Sequence, residues 1–158
     1  MAFTIGELKE NFTSGHVVAI CVRPERLQPV VGLKKVLAIV DVGLAGDRYR
    51  NKGGARQVTL IQAEHLKTIS SFLNKEISLS MVRRNIAVQG INLLSLKGKQ
   101  FRIGTAILEC SGECHPCSRM ESSLGAGGYN AMRGLGGITA RVVETGEIEV
   151  GSKVSVFS

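Results

Sequence analysis

The chain has no tryptophan, only two tyrosines and five phenylalanines, three prolines and four cysteines. With aromatics at 4%, little surface is offered for stacking nucleobases, which argues against a nucleic-acid partner. No apolar run approaches the roughly 20 residues that a membrane-spanning helix needs. Acids are also scarce: 13 Asp and Glu stand against 20 Lys and Arg, for a net charge of +7. That excess suits either nucleic acid or a phosphate-bearing small molecule. The basic residues are scattered through "RPER", "LKK", "GDRYR", "MVRRN" and "KGK", and no helix face collects them. Dispersed arginines favour individual phosphate or carboxylate contacts. The opening "MAFTIGELKENF" carries acids and lacks the basic start and apolar stretch of a secretory signal. The expected compartment is the cytoplasm, where thiols stay reduced and a short cysteine cluster reads as metal-binding or catalytic.

What is present is glycine, 19 residues of it, punctuating short β-branched runs. "HVVAICVR" (16–23), "LKKVLAIV" (33–40), "RQVTLI" (56–61), "RNIAV" (84–88), "KQFRIG" (99–104), "AILEC" (106–110), "ITARVVE" (138–144) and "KVSVF" (153–157) all read as strands. Helical spacing occurs in "IQAEHLKTISSFLN" (61–74), where Ile61, His65, Leu66, Ile69, Phe72 and Leu73 share a broad face and Asn74 can end the helix. Short helices are expected from Pro116 and over 129–134. No repeat or linker divides residues 1–158, so a single domain is expected. Many short strands, glycine turns and few helices predict a mainly β fold, a closed or half-closed barrel.

Three cysteines and a histidine lie within "CSGECHPCSRM" (110–120). Cys110, Cys114 and Cys117 have the C-x3-C-x2-C spacing that holds an iron–sulfur cluster in radical enzymes, but the short, strand-rich chain lacks their large α/β barrel. With His115 they could form a structural zinc site, although such sites usually draw ligand pairs from two separate knuckles. Strand alternation puts Cys110 with Ala106 and Leu108, as a small buried hydrophobe, and Cys21 reads the same way. Cys117 follows a proline at the start of an expected helix, where unpaired N–H groups favour a thiolate and Arg119 is close by. Cys117 is therefore the candidate catalytic sulfur and metal ligand, with Cys114 a resolving thiol or a loop cysteine of no consequence. His115 could shuttle a proton or simply face solvent. Arg48, Arg84 and Arg133 are candidate forks for phosphate, and "GAGGYNAMRGLGG" (125–137) offers backbone N–H groups that could nest an anion. Alternatives stay open: Asp47–Arg48 as an internal ion pair, Arg83 and Arg84 as one exposed and one paired residue, and Asn85 as a turn-bridging side chain.

"GLAGDRYRNKGGARQVTLIQAEHL" (43–66), "RRNIAVQGINLLSLKGKQFRIGTAILECSGECHPCSRM" (83–120) and "MRGLGGITARVVETGEIEVGSKVSV" (132–156) follow one another in an order that resembles the MOSC domain, named for the C-terminal domain of molybdenum cofactor sulfurase. The resemblance covers about residues 16–157. It implies a β-barrel that binds molybdenum cofactor (molybdopterin) or hands sulfur to it. By position in the Pro-Cys pair, metal ligation falls on Cys117; the candidate cofactor-binding residues beside it are Arg48, Arg84, Asn85, Arg119, Arg133 and Gly134. The sulfurase's pyridoxal-phosphate domain is not seen in this sequence, nor is a flavin or iron–sulfur module. The implied activities are reduction of N-hydroxylated small molecules with an external electron donor protein, or transfer of persulfide sulfur from a donor protein; a non-catalytic, zinc-stabilised module is the third. A homodimer is compatible with any of them.

Overall fold

A computed structural model describes residues 2–26, 28–48 and 53–156. Its strands are β1 (Gly15–Val22), β2 (Val31–Leu33), β3 (Lys35–Ile39), β4 (Gly43–Leu44), β5 (Val58–Gln62), β6 (Ile86–Gln89), β7 (Gln100–Ile103), β8 (Ala106–Glu113), β9 (Ile138–Glu144), β10 (Gly146–Glu149) and β11 (Lys153–Val156). Hydrogen bonding runs in the order β11-β7-β8-β9-β5-β6-β1, and β11 pairs back onto β1, closing a seven-stranded barrel. Closure leaves none of these seven strands with a bare edge. β2 extends the sheet beyond β1, and β10, β3 and β4 form a separate three-stranded sheet.

The run read as a strand over 33–40 is β3, Lys35–Ile39, paired with β10 and β4, while its first residue, Leu33, instead ends β2, which pairs with β1. The chain changes sheets at Lys34, a switch that β propensity cannot register. β4 and β10, too short and glycine-containing to stand out, were not expected from sequence.

β5 and β6 are parallel, with Leu60 opposite Ile86, and so need a crossover. Helices α2 (Ala63–Leu73) and α3 (Leu79–Val82) supply it. Asn74 ends α2 in the left-handed conformation, φ 52°, as its residue type allows. Leu66, Ile69 and Leu73 pack inward, but Phe72 is 65% exposed. At 100° per residue Phe72 sits roughly 90° round from that stripe, so it does not share the face. Two further helices, α4 (Ser118–Leu124) and α5 (Gly128–Met132), follow β8. A one-turn helix, α1 (Ile5–Leu8), precedes the barrel and is capped by Thr4 and Glu7.

Two apolar cores result. Val17, Ile20, Val58, Leu60, Phe101, Leu108 and Cys110 fill the barrel. Cys21, Ile61, Ile69, Met120, Leu124 and Met132 form a second layer between the barrel wall and the helices. β5 is buried along its whole length because its two faces serve the two cores. No helix among the described residues is long and apolar enough to cross a membrane.

Candidate functional site

β8 carries Cys110 into the barrel interior beside Leu108, as alternation predicted. Cys110 pairs with Ala140 but Gly112 pairs with Thr139, so Ser111 is the extra residue of a bulge. Bulges end regular pairing and re-aim the chain. The Ser111 hydroxyl donates to the Ala55 carbonyl and lies 2.9 Å from the Thr139 hydroxyl. The strand then leaves the sheet toward Cys114.

Cys114 is 2% exposed. Its amide donates to the Gly137 carbonyl at 2.9 Å, and its sulfur lies 3.7 Å from Arg56 Nη2. Glycine at 136 and 137 is what lets the two segments meet: a Cβ on Gly136 would lie 2.1 Å from the Cys114 carbonyl oxygen, and one on Gly137 1.9 Å from that of Leu60.

Cys117 is exposed. It is the N-cap of α4, in extended conformation, and not, as expected, part of the first helical turn. Its sulfur makes no capping hydrogen bond, so helix formation does not consume it. Among the described residues no three His, Cys, Asp or Glu side chains are grouped to hold a metal ion. The cage suggested by spacing is dispersed: Cys110 lies in the barrel, Cys114 is sealed under the loop, and His115 faces solvent.

Around these sulfurs the fold gathers arginines from remote parts of the chain. Asp47 does not pair with Arg48. Its carboxylate, fully buried, accepts from the Arg23 amide at 2.7 Å and from the Arg23 guanidinium at 3.3 and 3.1 Å. Asn85 Nδ2 donates to the same carboxylate at 3.3 Å and to the Cys21 carbonyl at 3.1 Å, while Asn85 Oδ1 accepts from the Thr59 amide and hydroxyl. Asn85 is wholly buried, so it joins β1, β5 and Asp47 and has no surface left for a cofactor. Arg48, half-buried, donates its amide to the Arg23 carbonyl.

Arg83 ends α3 in the left-handed region, φ 56°, a costly conformation for a long side chain. Burial first, then the neighbouring charges of Arg119, Arg23 and Arg48, press its guanidinium below the ordinary value, with Asp47 opposing. Arg84 is 7% exposed and donates to the carbonyls of Gly136, Val82 and Cys114 at 2.8, 3.1 and 3.2 Å. The two arginines do have different fates, but through a turn and not through strand alternation. Arg84's fork is committed to the protein, which removes it from the set expected to hold a ligand. Its value too is lowered, chiefly by burial, with the proximity of Cys114 and Cys117 acting against that. Both sulfurs thus lie within its field.

Arg23 and Arg56 were missed from sequence, and Arg83 was weighed only as the exposed or paired neighbour of Arg84. Nothing in their spacing ties them to the cysteine loop, since they reach it only through barrel closure and the crossover. Arg119, two residues beyond Cys117 in the first turn of α4, is exposed. Arg133 caps the end of α5, exposed, and Gly134 has φ 78° with open space about its Cα. Gly134 lines a small cleft with His65, Asn92, Leu94 and Gly137, beside the segment that anchors Cys114.

The MOSC domain matches residues 47–155. No functionally curated protein matches the sequence. Among solved structures, the YuaD protein of Bacillus subtilis superposes with a TM-score of 0.78 at 19% identity, covering 92% of this chain and 97% of that one. YiiM of Geobacillus stearothermophilus gives 0.73 at 18% identity, covering 91% and 75%. YiiM of Escherichia coli gives 0.67 at 16%, covering 90% and 70%. At such identities the structural likeness speaks for the fold. The chain belongs to the MOSC domain family, which is associated with proteins that bind the molybdenum cofactor.

Proposed function

We propose that this protein binds molybdenum cofactor through the Cys117 thiolate and reduces N-hydroxylated small molecules with electrons from a separate donor protein. The observation that supports the reading most directly is an exposed sulfur, spared from helix capping, electrostatically close to Arg84 and two residues from Arg119. The donor chemistry fits the group. A thiolate is a soft ligand suited to a metal already held by sulfur. Arg83 and its neighbours Arg48, Arg119 and Arg23 bring positive charge that Asp47 offsets only in part, and this suits a phosphate. Bound, the cofactor supplies two-electron oxygen-atom chemistry.

The chain's own side chains then have separable tasks. Cys117 ligates. Arg48, Arg83 and Arg119 bind the anionic end, and Arg133 with Gly134 contacts the ligand from the glycine-rich side. Cys114 is too enclosed to serve as a resolving thiol and instead anchors the loop. The cytoplasm is the compartment that matches free cysteines and a soluble electron donor.

Protein purified from cofactor-competent cells should carry stoichiometric molybdenum and pterin, and should turn over N-hydroxylated purines with an artificial reductant. Cyanolysable sulfur on Cys117 without metal would point instead to sulfur transfer, and bound zinc without molybdenum would end both readings.

A further inference from the structure

The turn that carries Cys117 is suspended between two anchors. At its far end, Met120 and Leu124 of α4 are buried in the helix layer. At its near end everything converges on Cys114, whose amide is held by Gly137, whose carbonyl is held by Arg84 and whose sulfur is met by Arg56. Between the anchors, His115 is exposed and Pro116 half-buried, and neither packs into a core cluster.

Arg84 organises the near anchor. Its single planar fork meets three carbonyls from three segments: Val82 at the end of α3, Cys114 after β8 and Gly136 before β9. A guanidinium fixes such directions because its N–H groups are rigidly arranged. The approach is close enough that a Cβ on Gly136 would come within 3.2 Å of Arg84 Nη2.

We infer that Arg84 is a positioning residue: by clamping the carbonyls of Cys114 and Gly136 it fixes the turn from which Cys117 is presented, without touching a ligand itself. The functional meaning rests on Cys117 being the working sulfur; the clamp itself does not. A lysine at 84 would keep the positive charge but could not reach three carbonyls from one ammonium. A glutamine would lose the charge as well.

The four cysteines are built-in reporters. Cys21 samples the helix layer, Cys110 the barrel interior, Cys114 the clamp and Cys117 the surface. The native protein is treated with N-ethylmaleimide and each site followed by peptide mass mapping. In the unsubstituted protein Cys117 reacts quickly and the other three are protected. In Arg84→Lys and Arg84→Gln, Cys114 should react about tenfold faster or more, with Cys21 and Cys110 still protected, because a buried charge-assisted bond has been lost locally. Gly136→Ala, which displaces the same carbonyl and leaves Arg84 in place, should open Cys114 in the same way and serves if the arginine variants do not fold. Unchanged protection of Cys114 in these variants would overturn the inference. So would simultaneous opening of Cys21, Cys110 and Cys114, which would make Arg84 a residue of general stability. Failure of the unsubstituted protein to bind molybdenum would remove the proposed role of Cys117 but would leave the selective opening of Cys114 as expected.

Discussion

Arg23 closes on Asp47 across 24 residues, its amide and its guanidinium both donating to a carboxylate that has no exposed surface. The pair ties the end of β1 to the segment after β4. Breaking one side leaves a largely desolvated cation behind, which costs more than the intact pair contributes. Asp47→Asn should lower unfolding free energy by about 3 kcal/mol in urea titrations. Adding Arg23→Gln to it should recover part of that loss, since the stranded charge is then gone.

Cys117 caps α4 without forming a capping bond. Serine is a better cap, so Cys117→Ser should leave stability unchanged or raise it by up to about 1 kcal/mol. The same variant should lose bound molybdenum completely. Metal retained at the level of the unsubstituted protein would show that another group is the ligand.

Cys110 sits in the barrel core, where burial pushes its thiol above the ordinary value. Cys110→Ala should cost about 1–2 kcal/mol through a small cavity. Molybdenum content should not change. Loss of cofactor as complete as in Cys117→Ser would mean that the strand-facing argument fails.

Gly134 and Gly136 lie two residues apart and should respond very differently to alanine. At 136 a Cβ meets the Cys114 carbonyl oxygen at 2.1 Å, so backbone has to move and about 3 kcal/mol should be lost. At 134 nothing obstructs the Cβ, and only the left-handed conformation, φ 78°, counts against it, at about 1 kcal/mol. Thermal melts of the two variants should therefore separate clearly.

Glu121 on α4 accepts from the Tyr129 and Gly127 amides, each at 3.0 Å, and so ties α5 to α4. The bond from Tyr129, then that from Gly127, holds its carboxyl below the ordinary range. A folded value below the unfolded one gives stability that is complete above the unfolded value and fades as pH falls through the folded one. Melting temperature should accordingly drop on acidification below about pH 4, and Glu121→Gln should flatten that limb. An acid limb identical in the variant would assign the loss to other carboxylates.

The legible features were those encoded by local periodicity. Alternation in "AILEC" placed Cys110 inside the barrel, and the residue type of Asn74 marked the end of α2. Where the chain changes sheets, between Leu33 and Lys35, periodicity had nothing to register. Arg84 looked like a ligand contact because a guanidinium fork suits phosphate, and Asn85 was a candidate cofactor contact or a turn-bridging side chain. Only the distances to Gly136, Cys114, Thr59 and Asp47 reveal that both face inward.

From the order of residues alone came the barrel class, the buried roles of Cys21 and Cys110, and the choice of Cys117 as the exposed sulfur, since each depends on neighbours a few positions away. Tertiary structure decided that Arg84 braces the cysteine loop, that Arg56 meets Cys114, and that Arg23, Arg48, Arg83 and Arg119 lie near one another. Those partners arrive from residues 23, 56, 83 and 119 through a closed sheet and one parallel crossover, and side-chain spacing along a chain carries no record of where distant segments will meet.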